Sequence, residues 1–270
     1  VEVEFQAVDQ YGTIDLQKLS TQLDQNTLLV SVIHANNEIG TIQPIKKISN
    51  LCKKQGVLLH VDASQSFGKI ALDVEELGVD LLTTSAHKIY GPKGIAFLYC
   101  KQGIKLTPLF HGGGQELNLR SSTSNVPGIV GFAKAIELAL KNQKEDSKKL
   151  KKLRDYLEDG ILSSIKNSYL NGHPTNRLYN ICNVRFDFIE GEALVMSLSQ
   201  KGVAASTGSA CSSPKLEPSH VLLATGLKAA EAHGSLRLSV GRWTTQDEVE
   251  YAVAAIVQVV KRLREISPFK

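Results

Sequence analysis

Two short, almost uninterrupted apolar runs, TLLVSVI at 27–33 and VLLHV at 57–61, constrain this chain more than any other feature. A strand covered on both faces reads as a continuous apolar run, and such strands belong to parallel sheets with helices packed against them. Between the runs, Pro44 opens a helix predicted over 45–55 and Gly56 closes it, since proline suits a first helical turn and glycine the position after the last. The order strand, helix, strand is a crossover unit. The alternation continues to Tyr99, which predicts an α/β layer with a mostly parallel sheet and ligands at the carboxyl ends of its strands.

The remaining segments follow from the same patterns. The chain opens on Val1 with an alternating stretch, 1–5, that predicts a strand, and a start without methionine predicts a piece of a longer polypeptide. Leu16, Leu19 and Leu23 share one face of a helix predicted at 15–23. After the turn residues Gly91, Pro92 and Gly94 an apolar strand is predicted at 95–99. Beyond Pro127 the pattern predicts two long helices, 128–142 and about 147–166. Next come strands at 179–188, 202–205 and 235–240, helices at 192–200 and 221–225, and a final helix from Thr245 striped by Val249, Val253, Ile256, Val260 and Leu263. The predicted organisation is a large domain at 1–130, followed at 131–270 by linking helices and a smaller α+β domain.

Composition removes several classes of function. Of the 270 residues 42% are hydrophobic and 21% charged, and no apolar run reaches transmembrane length, so no membrane role is expected. The basic run KEDSKKLKKLR at 144–154 has acidic residues and helically spaced leucines but no aromatics, which predicts a solvated helix face and no nucleic-acid site. Cys52, Cys100, Cys182 and Cys211 form no CxxC pair, the histidines show no metal spacing, and a reducing, cytoplasmic setting is expected. No Walker A sequence exists, and Gly112-Gly113-Gly114 lacks the spaced third glycine of a dinucleotide fingerprint.

Chemistry concentrates in a few places. The run TTSAHK delivers Lys88 to a strand end, where burial and neighbours can tune an amine into an imine-forming nucleophile and a base. Asp62 ends the strand before it, so adjacent parallel strands bring both side chains to one sheet edge. A lysine and an aspartate facing one crevice suit pyridoxal 5'-phosphate, whose carbonyl the amine binds and whose ring nitrogen the carboxylate keeps protonated. The sequence equally allows Asp62 as a helix N-cap or ion-pair partner, and Lys88 as a solvated loop residue. Cys211 lies in the small, polar stretch TGSACSSP, unlike Cys52 and Cys182 with their apolar neighbours, and a loop cysteine of this kind can present a thiolate to a reactive centre.

Four motifs together carry a family resemblance: HANNEIG at 34–40, HVDASQ at 60–65, SAHKIYGPKG at 85–94 and STGSACSS at 206–213. In this order they resemble the cysteine desulfurases of the NifS/IscS group, which have the pyridoxal-phosphate-dependent transferase fold, and the likeness runs essentially from Val1 to the final helix. The resemblance implies that Lys88 is the Schiff-base lysine, that Asp62 partners the pyridine nitrogen and Gln65 the phenolic oxygen, and that Ser85 and His87 hold the phosphate. It further implies that Asn37 touches cofactor and substrate, that Arg237 grips the substrate carboxylate, and that Cys211, in a loop at about 206–219 expected to move, receives the sulfur as a persulfide. Thr123 matches a threonine that reaches the other subunit's phosphate, which implies a homodimer.

The implied reaction converts L-cysteine to L-alanine and passes sulfur to an acceptor or iron–sulfur scaffold protein. Selenocysteine lyase, another enzyme of the same fold and cofactor, and a noncatalytic truncated fragment or interaction subunit are the alternatives. Two departures stand out. The segment QELNLRSST at 115–123 carries Ser122 where the family usually has glycine, and no residue matches the family's N-terminal phosphate-binding threonine or the histidine that stacks on the cofactor, so the N-terminal part of the fold is expected to be absent.

Overall fold

The computed structural model describes residues 2–208 and 217–268. It divides into two compact units, one of Val1–Gln22, Ala35–Pro44 and Lys144–Lys270, the other of Leu23–His34 and Ile45–Gln143. Helix α1 (Leu16–Gln22) belongs to the former.

The second unit is the α/β layer. Strand β1 (Leu29–Ile33), helix α2 (Ile45–Gln55), β2 (Leu58–Asp62), the short helix α3 (Val74–Leu77), β3 (Leu81–Ser85) and β4 (Ala96–Cys100) follow in order. The sheet order is β1-β2-β3-β4, with β1, β2 and β3 parallel and β4 antiparallel to β3. Leu59 and Val61 in β2 are buried, as their apolar run requires, whereas β1 at the sheet edge leaves Leu29 and Ile33 exposed although its run predicts a strand covered on both faces. Helix α3 starts where Asp73 accepts hydrogen bonds from the Glu75 and Glu76 amides at 2.8 and 3.0 Å, and ends on Gly78 at φ 71°.

Helix α4 (Val126–Ser164) is continuous, where the sequence predicts two helices. The expected break falls in KNQKED at 141–146, which has neither glycine nor proline to stop a helix. Instead Asp146 accepts two bonds from Arg242, at 2.9 and 2.6 Å, and stays in register.

The first unit holds an antiparallel sheet of β5 (Ser168–Leu170), β6 (Ile181–Phe186) and β7 (Ser235–Ser239), in that order. Its helices are α5 (Gly191–Gln200), α6 (His220–Ala224), α7 (Ala229–His233) and α8 (Gln246–Ile266). Phe186, Leu194, Leu198, Leu236 and Ile256 are buried in one core with Ile161 of α4, each such side chain contributing about 1.5–3 kcal/mol. In the α8 stripe Val249, Ile256 and Val260 are buried, while Val253 and Leu263 pack at its margin. A capping box of Thr245 and Glu248 starts that helix.

Two predicted strands are absent. In the stretch 202–205 the end of α5 takes up the first two amides, Gly202 at φ 77° donating to the Ser199 carbonyl and Val203 to that of Leu198. Among the described residues an isolated bridge, Ser206 to Arg237, continues toward β7. Residues 2–5 form no strand either: among the described residues none pairs with them, and Val3 and Phe5 are exposed. Alternation produces a strand only where a neighbour takes up the backbone hydrogen bonds.

Candidate active site

The carboxyl ends of β1, β2 and β3 form one edge in the second unit. Ile33 pairs with Asp62, and Asp62 with Thr83. The backbone continues the ladder past the strands, since the His34 amide donates to the Asp62 carbonyl and the Ala63 amide to that of Thr83, both at 2.8 Å. Asp62 Oδ1 accepts from the Ser64 amide at 2.8 Å, which fixes the carboxylate while leaving Oδ2 for another partner. Behind it, His60 bridges all three strands, with Ser31 Oγ at 2.8 Å from Nδ1 and Thr83 Oγ1 at 3.3 Å from Nε2. Burial lowers the His60 pKa, and the Asp62 charge opposes that shift.

Lys88 sits on a 3-10 turn, Ala86–Ile89, directly after β3. Ala86 and Ile89 are buried against Phe132, Ala135 and Ala139 of α4, so the turn is anchored on both sides of His87 and Lys88, which are exposed. Tyr90 closes the turn at φ 67°, and Gly91 follows because a Cβ there would lie 2.9 Å from the Ala86 carbonyl oxygen. Ser85 Oγ lies 2.7 Å from His87 Nδ1, which makes a hydroxyl–imidazole pair beside the lysine. Gln65, half-buried, lies on the turn after Asp62.

Asn37 and Arg237 belong to the first unit, where Arg237 Nη1 donates to the Asn37 carbonyl at 3.0 Å. Arg237 is thereby fixed by one of its five donors. Thr123 is exposed in the stretch ahead of α4 and is not among the residues gathered at the strand ends. In that stretch Ser122, at the family's glycine position, has φ 116°, a conformation that favours glycine.

Cys211 lies outside the described residues. Of the described cysteines, Cys52 and Cys182 are buried, and burial pushes their thiols up to about 11 and about 12, far from the thiolate that sulfur chemistry needs. Cys100 is half-buried on β4. Among the described residues no group of three or more His, Cys, Asp or Glu stands together as a metal site, and none of the helices is long and apolar enough to cross a membrane.

Two residues escaped sequence reasoning. Lys69 donates from Nζ to the Gln65 carbonyl at 2.7 Å, and its ammonium is pushed down to about 8, mainly by burial and further by the Lys88 charge. Its spacing of four from Gln65, within HVDASQSFGK, was the only available signal. Glu38 is buried beside Ser219, with its pKa raised by burial against the opposing effects of the Ser219 hydroxyl, His220 and Arg237. Its place in HANNEIG could have flagged it.

Residues 1–252 match the family model described as Aminotransferase class-V. Over 99% of this chain and 69% of its own length, a protein of Archaeoglobus fulgidus named cysteine desulfurase IscS 1 is 53% identical. A solved structure titled NifS-like protein superposes with a TM-score of 0.89 at 39% identity, covering 97% of this chain and 69% of that one. Another, titled SspA in complex with cysteine, gives a TM-score of 0.75 at 35% identity over 90% of this chain and 67% of its own.

Proposed function

We propose how the reaction is divided among these residues, starting from a plain premise: this chain belongs to the class-V aminotransferase family and, within it, to the pyridoxal-phosphate-dependent cysteine desulfurases. The observation that carries the division is the meeting of a carboxylate, a hydroxyl–imidazole pair and an amine at one strand edge.

That donor set fits the cofactor. Ser85 and His87 offer donors for a phosphate, Asp62 a fixed carboxylate for a protonated ring nitrogen, Gln65 an amide for the phenolic oxygen, and Lys88 an exposed amine for the carbonyl carbon. Thr123 would serve the phosphate of a partner subunit. Bound there, pyridoxal phosphate supplies a carbonyl for amines and an electron sink for the carbon next to a carboxylate.

The other tasks fall to this chain's own side chains. Arg237, fixed by Asn37, presents its remaining donors to the carboxylate of L-cysteine. Lys88 takes the proton from the substrate's α-carbon. The Cys211 thiolate attacks the substrate sulfur: an S–S bond forms as the C–S bond breaks, and the electron pair stays with the carbon skeleton, which takes up protons and leaves as L-alanine. Cysteine plus thiol thus gives alanine plus persulfide with no external oxidant. An acceptor protein, such as an iron–sulfur scaffold, takes the sulfur. A homodimer in the cytoplasm completes the reading. Cys211→Ser tests it: the cofactor-loaded variant should keep its visible absorbance and form no alanine from cysteine, and alanine formation at the unsubstituted rate would overturn the role.

A further inference from the structure

The stretch carrying Cys211 leaves the described structure after Gly208 and has rejoined it by Ser219, and one buried carboxylate is bonded to Ser219 and packs close beside Gly208. Ser219 Oγ donates to Glu38 Oε2 at 2.6 Å. A Cβ on Gly208 would lie 2.5 Å from the same Oε2 and 3.3 Å from Ser219 Cβ, so the carboxylate occupies space that only glycine leaves open. Glu38 and Ser219 are each 4% exposed. Away from water, such a bond is electrostatically stronger than an exposed one.

Glu38 is itself held firmly. Asn36 Oδ1 accepts from the Glu38 and Ile39 amides at 2.8 and 3.0 Å, and Asn183 Nδ2 donates to the Glu38 carbonyl at 3.1 Å. Ser219 also caps α6, accepting from the Leu222 amide at 3.3 Å, and on the other side Ser206 exchanges backbone bonds with Arg237 at 3.2 and 2.6 Å. The groups that face the carboxylate are thus the Ser219 hydroxyl, His220 and Arg237.

We propose that Glu38 is a positioning residue for sulfur transfer: its carboxylate holds both ends of the Cys211 stretch against the turn that carries Asn37. Glu38 touches neither substrate nor cofactor in this proposal. It fixes where the segment bearing the attacking thiol is tethered, and a nucleophile displaced by about 1 Å loses on the order of 100-fold in rate. The proposal rests on Cys211 being the sulfur acceptor.

The test compares Glu38→Ala, Glu38→Gln, Ser219→Ala and the double variant Glu38→Ala/Ser219→Ala, each loaded with pyridoxal phosphate, with Cys211→Ser alongside. Glu38→Ala and Ser219→Ala should each lower kcat for alanine formation by about 10- to 100-fold. The visible spectrum should stay unchanged in both, and KM for cysteine should stay unchanged in Ser219→Ala, which leaves the Glu38 charge facing Arg237 in place. The double variant should lose no more than the worse single one, and Glu38→Gln, which keeps an acceptor for Ser219, should recover most of the rate. Tryptic cleavage after Lys215, followed without cofactor, should accelerate in Glu38→Ala and not in Glu38→Gln. If Glu38→Ala does not fold, Ser219→Ala and Gly208→Ala decide the matter by the same readouts. An unchanged kcat, or a loss that tracks KM or cofactor absorbance, overturns the proposal while Cys211→Ser remains inactive; normal turnover by Cys211→Ser overturns the reading beneath it.

Discussion

Asn183 and Arg237 face each other in the register of β6 and β7, and they donate to consecutive carbonyls of one turn, Asn183 to Glu38 and Arg237 to Asn37. The turn of the first unit that carries Asn37 is therefore held by a cross-strand pair. Asn183 is fully buried and also accepts from Asn171 at 2.8 Å. Asn183→Leu strands two buried polar groups, at about 1–3 kcal/mol each. Urea denaturation should show a loss of about 2–6 kcal/mol. A loss below about 0.5 kcal/mol, the range of a neutral surface change, would show that the pair does not support the turn.

Acid should destabilise the protein through His34. Its side chain is buried, Nδ1 has no hydrogen-bond partner among the described residues, and burial lowers its pKa to about 4 from 6.5. Between those values the unfolded chain binds a proton that the folded one refuses, so the stabilising effect is present above pH 6.5 and is lost as pH falls toward 4. The expected loss is about 3 kcal/mol. It is read as the difference in pH slope between the natural chain and His34→Leu; equal slopes over that window would remove His34 as the cause.

Ser122 stores strain that glycine would release. With φ 116° the residue sits where a Cβ is unfavourable, at a cost of about 1–3 kcal/mol. Ser122→Gly should raise the thermal midpoint, offset in part by the freedom glycine gains in the unfolded chain. A lowered midpoint would mean that the bond from Arg120 to the Ser122 hydroxyl outweighs the strain.

The strand edge that carries Asp62 and the turn of Lys88 could be read directly from sequence, and the reason is local. Pro44 and Gly56 bracket α2 at the predicted residues, and the apolar run before Asp62 ends β2 on that residue. Parallel pairing then brings Asp62 and the turn of Lys88 to one edge without further information. What remained hidden depends on distant partners. Glu38 meets Ser219 across 181 positions, and no periodicity records such a contact. The continuity of α4 was missed because a charged stretch resembles a loop in composition, although it contains no stop signal. The stretch at 202–205 has strand-like composition, but the closing of α5 claims the Gly202 and Val203 amides first.

Lys88→Ala should remove the visible absorbance of bound pyridoxal phosphate, since no other amine is anchored on that turn. Lys69, the nearby amine, is committed to the Gln65 carbonyl and should not replace it. An unchanged visible spectrum in Lys88→Ala would reassign the cofactor's anchor.

The division of labour is tested most directly by mass spectrometry of the cofactor-loaded protein after incubation with L-cysteine, with alanine measured in the same sample. The expected result is one added sulfur on the peptide containing Cys211, removed by a thiol reductant, with alanine formed in step. Alanine formed while Cys211 stays unmodified, or sulfur found on Cys52, Cys100 or Cys182 instead, would contradict it.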